Sequence, residues 1–167
     1  MDRTLPLPGD IGLCRITGPV GWLIRFLQWL AGGGFADVEH AFVYVGDGRI
    51  IEAAPGGARE TDLADYADRP IVWSTGRIPL TDAQRTAIVT AARSFVGVPY
   101  SDVDYAAIAA HRLHLPLPGL RTYVRSSGHM ICSQLVDRAY QRAGVQLFAD
   151  GRWDGYVMPA SLDRLIR

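Results

Sequence analysis

The chain has 167 residues, 49% of them hydrophobic and 20% charged, and its seventeen basic residues balance seventeen acidic ones to a net charge of zero. These figures describe one domain, 1–167, with an ample core and exclude a disordered chain. No basic run stands out, which argues against nucleic acid as a partner.

Every basic residue is Arg, and Lys and Asn are absent, which reads as the codon usage of a high-GC genome such as a bacterium's or its phage's. Two cysteines, Cys14 and Cys132, do not make a disulfide framework in a domain of this size. Met1 to Asp10 lacks the basic and apolar regions of a signal peptide. The most apolar stretch, Val20 to Ala31, is about twelve residues long and carries Arg25 and Gln28, whereas a membrane span needs ~20. The chain is therefore expected in the cytoplasm at synthesis, and a substrate outside the cell would require another delivery route.

Asp10-Ile11-Gly12-Leu13-Cys14-Arg15-Ile16 alternates as a short strand, with Cys14 in the core. Gly18-Pro19 breaks it, and Val20 to Leu30 reads as a helix that Gly32-Gly33-Gly34 ends. That helix is apolar nearly all round, which suits burial; its Trp22 and Trp29 also suit contact with a lipid or acyl chain. The glycine triplet follows a helix and lacks a Lys-Ser/Thr, so it is not a phosphate-binding loop.

His40 to Val45, then Gly46-Asp47-Gly48, then Arg49 to Ala53, predicts a β-hairpin. A two-residue Asp47-Gly48 turn would set Val43 opposite Glu52 and turn the carboxylate away from His40. A three-residue Gly46-Asp47-Gly48 loop, with Gly48 left-handed, sets Phe42 opposite Glu52 and aims Glu52 and His40 the same way. The second register is expected.

Arg69 to Ser74 predicts a strand that resumes at Arg77-Ile78. Thr81-Asp82-Ala83-Gln84 is a capping box for a helix running to about Val96, with Gly97 as its stop. Gly97-Val98-Pro99-Tyr100 is a turn, Asp104 to His114 is helical, and Leu115 to Gly119 is loop. Ile131 to Ala143 carries apolar residues at helical spacing and closes at Gly144, and Pro159 begins a last short helix. Without βαβ alternation, the order favours an α+β fold.

Cys132 stands at the first turn of the Ile131–Ala143 helix, where the macrodipole and backbone N–H groups favour a thiolate. A buried cysteine in a helix is more often inert. Here a small polar Ser133 follows it, and a strand elsewhere carries His40 with a spaced carboxylate, Glu52. Cys132 is then the nucleophile, His40 the base that later returns the proton, and Glu52 the group that orients the imidazole. The backbone N–H of Cys132 or Ser133 helps hold an oxyanion. His111-x-x-His114 and His129-x-x-Cys132 have ligand-like spacing, but no CxxC or HExxH accompanies them, and no metal or other cofactor is expected.

With these residues the chain resembles the NlpC/P60 superfamily of papain-like cysteine hydrolases. More narrowly it is similar to the circularly permuted branch that includes the YiiX-like amidases and is related to lecithin:retinol acyltransferases. Asp37 to Gly48 matches the His strand and hairpin, and here it comes first; Gly97 to Tyr100 matches the Tyr segment; Ile131 to Val136, through Tyr140 and Ala143-Gly144-Val145, matches the nucleophile helix. Gly9-Asp10-Ile11 and Met158 to Leu162 also resemble the branch. The resemblance implies a permuted papain-like fold with an antiparallel sheet packed on the Cys132 helix. It implies Cys132, His40 and Glu52 as the catalytic set, with Tyr100 beside the thiol for substrate placement or oxyanion stabilisation. Unpermuted members carry Asp before the Cys-Ser pair, whereas this chain has Ile131.

Three functions are expected in order. The first is an amidase or endopeptidase that cleaves a small peptide or amide, within peptidoglycan above all, through a thioester on Cys132. The second is a lipid-directed acyltransferase or thioesterase using the same site and the Trp22/Trp29 helix. The third is a non-catalytic binding module that keeps the cleft.

Overall fold

The computed structural model describes residues 5–16, 37–100, 130–151 and 157–167. The fold is α+β. A five-stranded antiparallel sheet runs in the order β4-β3-β2-β1-β5. Its strands are β1 (Ile11–Cys14), β2 (His40–Gly46), β3 (Arg49–Ala54), β4 (Gly57–Asp62) and β5 (Ile71–Trp73). A 3₁₀ turn at Leu63–Tyr66 follows β4. The α-helices among the described residues are α1 (Asp82–Arg93), α2 (Cys132–Arg142) and α3 (Pro159–Ile166). None of them is long and apolar enough to cross a membrane.

The β2–β3 hairpin has the expected register, with Phe42 opposite Glu52, Val43 opposite Ile51 and Tyr44 opposite Ile50. It reaches that register by a different route. Gly46 pairs with Arg49 across a two-residue Asp47-Gly48 turn, both of whose residues have positive φ (51° and 69°). That turn type matches strand twist, and an irregularity between Tyr44 and Gly46 absorbs the odd residue as a bulge. Gly46 takes up the bend at φ 96°.

Alternation along the strands divides the sheet. Ile11, Leu13, Ala41, Val43, Val45 and Ile51 face the principal core with Leu135, Val136, Ala139 and Tyr140 of α2 and Ile88 of α1. The opposite face carries Cys14, Phe42 and Ile50 under Tyr66. Phe42 lies on Gly12 so closely that a Cβ there would stand 2.1 Å from its ring. Two polar ties lock β1 to the helices. Buried Asp10 accepts from Leu7 N–H, Thr75 Oγ1 and Arg85 Nη1 at 2.9, 2.7 and 2.9 Å. The Tyr140 hydroxyl donates to the Gly9 carbonyl at 2.6 Å.

The Thr81–Gln84 capping box forms, and Gly97 and Gly144 take the left-handed conformation just beyond their helices. β5 does not resume at Arg77-Ile78: the Arg77 N–H donates to the Ser74 carbonyl and closes a turn instead. The Trp22/Trp29 helix, the glycine triplet 32–34, the helix at 104–114, the loop at 115–119 and the paired His111, His114 and His129 lie outside the described residues.

Candidate active site

His40 is the first residue of β2, and Glu52 lies one diagonal step away on β3, so the pleat aims both side chains to the same face. His40 Nε2 and Glu52 Oε2 are 2.6 Å apart, with Glu52 wholly buried and His40 only 5% exposed. The Cys132 side chain lies within reach of the imidazole, and its bond and charge are among the causes that favour the charged ring. Cys132 opens α2, which packs against β2 and β3. Sulfur, imidazole and carboxylate thus form one chain of contacts, and the thiol is 2% exposed.

Glu52 accepts from every side. Arg59 Nε and Thr61 Oγ1 reach Oε1 at 3.0 and 2.8 Å, and the Tyr66 hydroxyl bonds the same Oε2 that His40 uses. Burial works to raise the Glu52 carboxyl, but the bond and charge of His40, with the Tyr66 and Thr61 hydroxyls, bring it down to about 2. Burial works to discharge His40, yet its bonds to Cys132 and Glu52 and their charges outweigh this and hold the ring up at about 9. This environment favours an imidazolium.

Cys14 lies directly opposite His40 on β1, and burial pushes its thiol up to about 12. It stays protonated and belongs to the packing beneath the site.

The Ser133 hydroxyl donates to the Val157 carbonyl at 2.6 Å and is spent tying α2 to the segment before α3. Any part Ser133 takes at the reacting centre therefore falls to its backbone. Tyr100 forms a parallel bridge with Met130, two residues before the thiol, and is half-buried against the principal core. Its segment is laced on the other side to β4, with Ala58 N–H donating to Val98 O and Gly97 N–H to Ala58 O, both at 2.8 Å. Gln134 reaches back to accept from the Ile131 N–H at 3.0 Å, supplying the N-terminal cap that Ile131 has no side-chain oxygen to provide.

Arg59, Thr61 and Tyr66 were not legible as site residues in the sequence. The available signal was alternation: Arg59 and Thr61 are two apart on one strand, and an acid in the neighbouring apolar strand needed donors.

Comparison with models of known protein families and with curated proteins gives no match for this chain.

Proposed function

We propose that the chain is a cysteine hydrolase of the circularly permuted papain-like, NlpC/P60-like kind, acting on an amide bond in a small peptide or related amide, with cell-wall peptide the leading substrate. The observation that carries this reading is the single buried run of contacts from Cys132 through His40 to Glu52. The chain order also supports it, because the histidine strand precedes the nucleophile helix.

His40 takes the Cys132 proton, and the resulting thiolate and imidazolium stabilise one another. Glu52 occupies Nε2, which leaves Nδ1 as the nitrogen for the sulfur. The thiolate adds to the substrate carbonyl carbon. Negative charge gathers on the carbonyl oxygen near the first-turn N–H groups of α2, at the positive end of the macrodipole. When the C–N bond breaks, the imidazolium gives its proton to the departing amine and a thioester remains on Cys132. Water then adds to the thioester, His40 takes the water's proton, and the thiol is restored as the acid leaves.

The test is mass spectrometry of Cys132 after brief incubation with peptidoglycan fragments and, in parallel, with acyl esters. An acyl adduct from wall fragments, absent in Cys132→Ala, is the expected result. Adducts from acyl esters alone would move the reading to acyl transfer, and no adduct from either would remove it.

A further inference from the structure

We infer that Tyr66 is a positioning residue for the His40–Glu52 pair: its ring sets the imidazole plane, and its hydroxyl shares the carboxylate oxygen that His40 uses. The inference rests on the reading of His40 as the base for Cys132.

The ring geometry comes first. Tyr66 and His40 lie nearly parallel, 10° apart with centroids separated by 6.0 Å. Phe42 leans on Tyr66 at 5.4 Å, and the Arg69 guanidinium covers its ring at 5.0 Å. The backbone beneath is fixed as well. Asp62 caps the 3₁₀ turn through Ala64 N–H at 2.9 Å, and Leu63 N–H donates to Gly48 O at 2.7 Å, so the turn is bolted to the hairpin carrying His40 and Glu52. Rotation of the imidazole about χ2 would have to drive its edge against a ring that is itself held in place.

The hydroxyl acts through Glu52. Two donors share Oε2, His40 and Tyr66, whereas Arg59 and Thr61 occupy Oε1. One carboxylate oxygen has lone pairs for both, but each donor withdraws density the other would use. Tyr66 therefore moderates the pull of Glu52 on the imidazolium. The consequence is catalytic: an imidazolium held too tightly is too weak an acid to protonate a leaving amine. Burial, then Glu52, keeps the phenol protonated well above its ordinary range, so it remains a donor throughout the working pH.

Tyr66→Phe keeps the ring and removes the hydroxyl. The His40 ring titration is followed by NMR, assigned with a His40→Gln protein, beside the pH dependence of iodoacetamide labelling at Cys132. The expected result is an upward move of the His40 titration by about half a pH unit or more. Thr61→Val, which removes a donor from the other oxygen, should move it less. An unmoved titration in Tyr66→Phe, an equal move in Thr61→Val, or a Tyr66→Phe protein that does not fold would overturn the tuning role and leave Tyr66 as packing. Wild-type labelling at pH 6 separates the two readings: if Cys132 reacts there no faster than an ordinary thiol, the nucleophile itself is lost, whatever Tyr66 does.

Discussion

Phe42 and Glu52 stand directly opposite one another across the β2–β3 ladder. This pairing places the carboxylate two residues along from His40 on the same face, where Nε2 and Oε2 close to 2.6 Å. A slip of one residue would send Glu52 to the other face, among the aliphatic side chains of the principal core.

Glu52→Gln should therefore be costly twice over. The amide keeps the shape but loses the charge, and its NH₂ must face donors from His40, Arg59, Thr61 or Tyr66. A loss of about 3 kcal/mol in urea unfolding is expected, as when one partner of a buried pair is removed. His40 loses one of the influences that favour its charged form, so Cys132 labelling by iodoacetamide below pH 7 should slow by about tenfold or more. Labelling at the wild-type rate would show that Glu52 does not support the imidazolium.

Stability should peak in mildly acidic solution. His40 is raised from 6.5 to about 9, so its contribution is complete below pH 6.5 and is lost as pH climbs through about 9. Glu52 is lowered from 4.5 to about 2, so its contribution is complete above pH 4.5 and is lost as pH falls through about 2. Urea midpoints across pH 3 to 10 should form a plateau between these limits. In His40→Gln the decline on the alkaline side should flatten.

Gly12→Ala tests the floor beneath the site. The new methyl would meet Phe42 Cε2 at 2.1 Å, and the ring must move. Phe42 contacts His40, Tyr66 and Trp73, at centroid distances of 6.0, 5.4 and 5.7 Å, so the displacement is passed to the imidazole. Overpacking of this kind costs about 1–3 kcal/mol. Thermal unfolding should register it, and Cys132 labelling should slow at the same time.

Ser133→Ala separates a side-chain role from a backbone role next to Cys132. The lost bond leaves a buried Val157 carbonyl without that donor, a cost of about 1–3 kcal/mol. Labelling of Cys132 should persist near the wild-type rate. A collapse in labelling with stability intact would instead assign the hydroxyl to the reacting centre.

The hairpin and the Cys132 helix were readable because their signals are local. An acid inside Ile50-Ile51-Glu52-Ala53-Ala54 announces a buried charge that needs a partner, and glycines bracket the turn. The Thr81–Gln84 box is likewise local chemistry. β4 was missed because Gly57-Ala58-Arg59-Glu60-Thr61-Asp62 offers no apolar alternation: the half-exposed Arg59 and the partly buried Thr61 reach a carboxylate rather than an aliphatic core. Tyr66 was missed for a related reason, since its partner is fourteen residues upstream and only the folded turn brings them together. The bulge at Gly46 replaced the expected loop because both routes give the same pairing, and hydrophobic pattern alone does not choose between them.

The Tyr140–Gly9 bond has a mechanical consequence. It anchors α2 about 12 Å down its axis from Cys132, at ~1.5 Å per residue, to the backbone just before β1. A rod fastened that far back can neither ratchet lengthwise nor roll without dragging the strand it is fastened to. The gap between sulfur and ring is thus gauged by a phenol on the far side of the sheet. Loosening that phenol should broaden the spread of sulfur positions long before the domain melts.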